Sequence, residues 1–181
     1  MATGRISSRR AYSGRIISLD VDRVRFPDGS EGELEMVRHP GASAVVPFLS
    51  DPNGDDPQVL LIKQYRYAAE QYMYEIPAGR LDPGEGPEAC ARRELREETG
   101  CEAAKVEALT TIYTTPGFTD ERIHLFMASG LTVGDANREH DEFIEVEQVT
   151  ISKALEMIRE GRITDGKTVV GLLFAAGFRM G

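Results

Sequence analysis

Apolar residues along this chain come in short bursts, and the turn residues between them set the predicted elements. Ile16, Leu19, Val21 and Val24 alternate loosely between Gly14 and Arg25, Pro27-Asp28-Gly29-Ser30 supplies turn chemistry, and Gly32 to Val37 resumes the pattern, which predicts a β-hairpin. Ser43–Leu49 and Gln58–Gln64 are apolar runs of strand length, separated by the dense turn signal Asp51–Pro57. Gly86 to Thr99 has no proline after Pro87, is rich in Ala, Glu, Leu and Arg, and meets Gly100, the expected C-terminal stop of a helix. Val106–Tyr113 and Glu121–Ala128 read as strands around an irregular loop, and Phe143–Val149 as another after the polar stretch Gly134–Glu142. Ser152 is the expected N-cap of a helix to Arg159, and Thr168–Arg179 is apolar enough for a last helix. Strands and helices mix without strict βαβ alternation, so the expected class is α/β (α+β), a mixed sheet with helices on its faces plus a small N-terminal antiparallel β subdomain. The expected boundaries are a flexible arm over residues 1–11, a hairpin subdomain over 12–39 and the main domain over 40–181.

A chain of 181 residues with 41% apolar content has core material for about one domain. The longest apolar run, Val169–Phe178, is broken by Gly171 and Gly177 and falls short of the ~18 residues of a membrane span. Arg5, Arg9 and Arg10 are followed by no apolar segment or small-residue cleavage site, so the expected location is cytoplasmic. Cys90 and Cys101 fall in what reads as one helical segment and are expected to be reduced thiols. Thirty acids against twenty-one bases give a net charge of −9, which disfavours nucleic-acid and membrane partners. An acidic protein that handles phosphorylated substrates needs bound cations.

Glu94, Glu97 and Glu98 stand at i, i+3 and i+4, on one side of the predicted helix, with Glu85 and Glu88 near its start. Like charges at this spacing cost about 0.2–0.5 kcal/mol per pair, and Arg93 offsets only part of that. A hard divalent cation suits such oxygen ligands and shares its remaining positions with phosphates. A solvated charged face is the alternative.

The residues around these glutamates carry more information. From Gly79, five residues lead to Glu85, seven more to Arg93-Glu94-Leu95, and Arg96, Glu97-Glu98, Thr99 and Gly100 follow. This spacing resembles the signature of the Nudix hydrolases, and Cys101 departs slightly from the larger apolar residue usual at the last position. The resemblance implies an α/β/α sandwich that hydrolyses a nucleoside diphosphate linked to another moiety, with Mg²⁺, or Mn²⁺ as substitute. It implies that Glu94 and Glu98 are the principal metal ligands, Glu97 a further ligand or water-orienting catalytic group, and the carbonyl of Ala78 another ligand. Gly79, Glu85, Arg93 and Gly100 are then structural, with Glu85 and Arg93 pairing to hold the loop on the helix.

Pro116, fifteen residues beyond Cys101, together with Gln64-Tyr65-Arg66, Glu75–Gly79 and Phe143–Val146, resembles the ADP-ribose pyrophosphatase branch of that family. The likeness implies that Arg66 meets the diphosphate, for which its fork of donors is suited; the alternative is a surface ion pair with Glu70 or Glu75. It implies that Glu121 binds the terminal ribose and that Pro116-Gly117 shape the substrate loop, unless they are simply a turn. The proton acceptor is expected in Asn137–Glu142, first at Glu142, then Glu139, with His140 a further option. Phe26, Tyr12 and Tyr67 are candidates to stack the base, and Glu35 and Arg38 to reach substrate across a homodimer. Hydrolysis of ADP-ribose to AMP and ribose 5-phosphate is the leading expectation. GDP-mannose or another nucleotide sugar as substrate, and a non-catalytic sensor of the same ligands, are the alternatives.

Overall fold

The computed structural model describes residues 3–134 and 144–179. The chain forms two compact units, Met1–Gly41 with Tyr113–Arg122, and Ala42–Ile112 with Ile123–Gly181.

The first unit holds an antiparallel sheet of β1 (Gly4–Ser13), β2 (Ser18–Arg25) and β3 (Glu31–Arg38), in that order. The β2–β3 hairpin turns where expected: Gly29 takes φ 86°, and Asp28 Oδ1 accepts the Ser30 N–H at 2.9 Å and its hydroxyl at 2.7 Å. The arm expected to be flexible over residues 1–11 is instead strand β1 from Gly4 onward. Every residue of β1 is exposed, so no apolar face marks it, and the backbone ladder to β2 organises it. The expected boundary near residue 40 is also incomplete. Tyr113–Arg122 joins this unit, because the Val37 N–H donates to Phe118 O (2.8 Å), the Asp120 N–H to Val37 O (3.3 Å) and the His39 N–H to Asp120 Oδ1 (3.0 Å).

In the second unit, β4 (Ala42–Pro47), β5 (Gln58–Arg66), β6 (Gln71–Glu75) and β7 (Ala78–Arg80) precede α1 (Pro87–Thr99). Then follow β8 (Cys101–Tyr113), β9 (Arg122–Val133), β10 (Ile144–Thr150), α2 (Ile151–Arg159) and α3 (Gly166–Arg179). One sheet has the order β7-β4-β9-β8, with β4 parallel to β9 and antiparallel to β7; the other is β10-β5-β6, antiparallel. Ala42–Pro47 of β4, Val59–Ile62 of β5 and Leu125–Ala128 of β9 are buried on both faces, which explains the short apolar runs in their sequences. Ala44, Val46, Leu61, Leu125 and Met127 pack with Ala154 and Met157 of α2 and Leu172 and Ala175 of α3. Their neighbours Val45, Leu60, Phe126 and Ala128 pack with Ala91 and Leu95 of α1. Helices thus cover both faces of mixed sheet structure, the expected α/β/α sandwich.

Several local expectations are corrected. Cys101 opens β8, because Gly100 at φ 74° has already ended α1; both cysteines are free and buried. Thr150 rather than Ser152 caps α2, its Oγ1 accepting the Lys153 N–H at 3.2 Å, while Ser152 bonds Asp56. Helix α3 begins two residues before Thr168, and β6 and β7 leave no apolar period long enough to be seen. No helix among the described residues is long and apolar enough to cross a membrane.

Candidate active site

Helix α1 carries the site. Gly86 leads in with extended backbone, Pro87 occupies the first turn, and the Gly100 N–H returns to Arg96 O at 2.8 Å. The buried side chains of Cys90, Ala91 and Leu95 fix the helix on its sheet. Burial of a side chain such as Leu95 contributes about 1.5–3 kcal/mol. Glu94 and Glu98 are buried as well, at 8% and 2% exposure, and Glu97 is half-buried.

Arg93 gathers Glu94 and Glu97 together with Glu85. Its Nε and Nη2 each donate to Glu85 at 2.9 Å, and Nη1 donates to Glu94 Oε1 at 2.6 Å and Glu97 Oε2 at 3.0 Å. Nη2 also reaches the Arg80 carbonyl at 3.0 Å. The guanidinium beside it holds the Glu85 carboxyl down at about 2, and Glu85 chiefly raises Arg93 in return. Glu85 Oε2 further accepts the Asp82 N–H at 3.0 Å, so the pair ties the entering loop to the helix. Burial pushes the neighbouring Cys90 thiol up to about 11, leaving an uncharged filler at neutral pH.

Strand β7 closes over the carboxylates. The Ala78 N–H donates to Glu98 Oε2 at 2.9 Å. At Gly79 an added Cβ would lie 1.8 Å from Glu94 Oε1 and 2.1 Å from its Cδ. The backbone there lies outside the left-handed region, so Gly79 is required by close approach to Glu94 rather than by φ. Among the described residues no three acidic, histidine or cysteine side chains form a ready cation cage; Arg93 Nη1 bridges Glu94 and Glu97 instead. The donor set itself fits a hard divalent ion: carboxylate oxygens on one helix face and a glycine cradle for Glu94.

Arg66, at the end of β5, does form the ion pair with Glu75 that was the alternative to a diphosphate contact, but the pair is not a surface one. Nε and Nη2 donate to Glu75 Oε1 and Oε2 at 2.6 and 2.8 Å, and Glu75 is 1% exposed. The Arg66 side chain itself keeps 41% of its exposure. Its basicity is raised mainly by Glu75 and further by the charge of Glu98, which places Arg66 within the field of the carboxylate helix. Lys167 of α3 is a second cation on Glu75. Motif spacing missed Lys167; the one available signal was Asp165, an N-cap residue type just ahead of the helix.

In the first unit, Arg38 is fully engaged: Nε with Asp20 (3.1 Å), Nη1 with Asp120 (3.1 Å) and Nη2 with Asp22. Glu35 is exposed. Glu121 Oε2 accepts the Thr114 hydroxyl at 2.9 Å, and its Oε1 stands 3.3 Å from His39 Nδ1. Pro116-Gly117 lie in a tight turn, with Thr115 O accepting from the N–H groups of Phe118 and Thr119. Phe26 lies over Gly32, whereas Tyr12 and Tyr67 are 60% and 84% exposed. The proton-acceptor candidates Glu139, His140 and Glu142 lie outside the described residues. The sequence also hides a local basic lining, since Arg92, Arg93 and Arg96 of α1 share one cleft with Ala89, Glu102 and Ala103.

A family model for the NUDIX domain matches residues 39–169. The chain belongs to the Nudix hydrolase family. This family generally uses divalent metal ions. Among Nudix relatives, a methanol dehydrogenase activator of Bacillus methanolicus is 41% identical over 171 residues, and an ADP-ribose pyrophosphatase of Bacillus subtilis (strain 168) is 40% identical over 171. Each alignment covers 93% of this chain and 90% of the relative. A solved structure described as an ADP compounds hydrolase matches with a TM-score of 0.82 at 20% identity, covering 98% of this Nudix chain and 94% of that one, and shows a shared fold.

Proposed function

We propose that this Nudix protein hydrolyses the diphosphate of ADP-ribose to AMP and ribose 5-phosphate, with Mg²⁺ as its ion and Mn²⁺ as a substitute. The observation that supports this most directly is the α1 face itself: Glu94, Glu97 and Glu98 beside the Gly79 cradle, in a chain 40% identical over most of its length to an ADP-ribose pyrophosphatase.

In this reading Glu94, Glu97, Glu98 and the Ala78 carbonyl hold the cation, competing with Arg93 Nη1 for Glu94 and Glu97. Bound Mg²⁺ supplies neutralisation of the diphosphate charge and a more acidic water. The chain's own residues do the rest. Arg66 offers the diphosphate a fixed cation, and Glu85 with Arg93 holds the loop and helix together while the carboxylates change partners. Glu142, with Glu139 or His140 as substitutes, accepts the proton of the attacking water. Glu121 takes the terminal ribose, with Pro116-Gly117 shaping its loop. Tyr67 and Tyr12, the more exposed of the aromatic candidates, offer stacking surface for adenine. Glu35 is freer than the caged Arg38 to act across a homodimer interface. The protein is assigned to the cytoplasm.

Incubation with Mg²⁺ and a panel of nucleotide sugars, followed by chromatography of the products, tests the assignment. ADP-ribose is expected to be the preferred substrate and to yield AMP; a preference for GDP-mannose, or ligand binding without product, overturns it. Glu98→Gln is expected to fold normally and to lose more than about a hundredfold in kcat.

A further inference from the structure

The start of α3 joins the site through residues that the family motif does not contain. Thr168 is fully buried; its Oγ1 accepts the Ile76 N–H at 2.9 Å and donates to Asp165 Oδ2 at 2.6 Å. Asp165 Oδ2 also accepts the Thr168 N–H and Lys167 Nζ, each at 3.0 Å. Lys167 Nζ in turn donates to Glu75 Oε2, the oxygen that also accepts Arg66 Nη2. The four charges therefore alternate in the order Arg66, Glu75, Lys167, Asp165, and sum to zero.

Glu75 is almost completely buried and Lys167 retains only 11% side-chain exposure, while Arg66 is the partly exposed end of the row. A buried carboxylate facing one cation draws that cation with its whole charge. Shared between two, it holds each less strongly. Nε and Nη2 of Arg66 are occupied by Glu75, which leaves Nη1 as the nitrogen not committed to it.

We propose that Lys167 is a positioning residue that shares the charge of Glu75 with Arg66, so that Arg66 stays oriented by the carboxylate yet remains net attractive to an anionic diphosphate. This rests on the reading of Arg66 as the diphosphate contact. Without Lys167 the row carries one net negative charge, and the field that an approaching diphosphate meets turns repulsive. A lysine that merely anchors α3, or one that touches phosphate itself, predicts a different response to removal of the Glu75 charge.

The test is a charge rescue. Binding of inorganic pyrophosphate and of ADP-ribose is measured by calorimetry in EDTA for the wild type, Lys167→Met, Lys167→Arg and the double variant Lys167→Met with Glu75→Gln. KM and kcat with Mg²⁺, and Tm, are measured alongside. Lys167→Met is expected to weaken binding and raise KM about tenfold, with kcat changed less than about twofold. Lys167→Arg is expected to stay close to the wild type. The double variant, its row again neutral, is expected to recover to within about threefold of the wild-type affinity. Failure to recover with Tm near that of the wild type, or wild-type binding by Lys167→Met, overturns the proposal. Should the double variant fail to fold, binding by Lys167→Arg as weak as that by Lys167→Met overturns it equally. If the wild type takes pyrophosphate but not ADP-ribose in EDTA, the rescue is read with pyrophosphate, and the substrate assignment is decided separately by turnover with Mg²⁺. If neither ligand binds the wild type in EDTA, the comparison is read from KM with Mg²⁺, where a Lys167→Met value equal to that of the wild type overturns the proposal.

Discussion

Each compact unit contains an arginine that holds three carboxylates, and the two cages differ in how they are built. Arg38 bonds Asp20, Asp22 and Asp120, from which it is separated by 18, 16 and 82 residues along the chain. Arg93 bonds Glu85, Glu94 and Glu97, at separations of 8, 1 and 4. The Arg38 cage uses short aspartates on a strand and a returning loop, so its carboxylates have little freedom to find other partners. In the Arg93 cage two longer glutamates stand on a helix whose backbone is fixed by Leu95 and Ala91, so their ends can exchange a guanidinium for another cation without moving the fold. One cage is suited to hold a segment in place, the other to exchange partners.

The comparison can be broken most severely at Gly79. A methyl group there collides with Glu94, so Gly79→Ala is expected to lower kcat about a hundredfold through displacement of one carboxylate, with Tm nearly unchanged. A loss of folding in proportion to the loss of activity would show that the glycine serves stability instead. Next in size are the arginines. Arg38→Met and Arg93→Met are each expected to lower Tm by roughly 5 °C or more in EDTA, because each strands carboxylates away from bulk water. Added Mg²⁺ is expected to restore part of the loss in Arg93→Met and none in Arg38→Met; equal responses would erase the distinction drawn between the cages.

The smallest effect is in acid. Glu85 titrates near 2 in the folded protein against a reference of 4.5. The folded value is depressed, so its stabilising contribution is fully present above about 4.5 and is lost as pH falls from there through 2. In Glu85→Gln that slope is expected to shrink in a series of denaturant titrations across the window. An unchanged slope would mean that Arg93 does not depend on the charge of Glu85.

The same contrast explains what was legible beforehand. The α1 helix with its Gly100 stop, the three glutamates on one face of it and the apolar runs of β4 and β5 all follow from separations of a few residues or from the composition of one segment, and one chain read in order displays them. The Arg38 cage is not legible in the sequence, because Asp120 arrives from the far end of a loop. Strand β1 was missed because a strand exposed on both faces has no hydrophobic period. Lys167 escaped notice for a third reason: its partner Glu75 lies 92 residues away, across a contact made only when α3 docks beside β6.

The sequence by itself determined the family, the helix that bears the glutamates and the spacing that puts them on one face, since helix geometry converts residue number directly into direction. Only the tertiary structure decided which charges meet. Whether Arg66 stands alone or is one end of an alternating row with Glu75, Lys167 and Asp165 depends on distances between segments far apart in the chain. Coulombic interactions act over those distances in space and carry no trace in the order of residues.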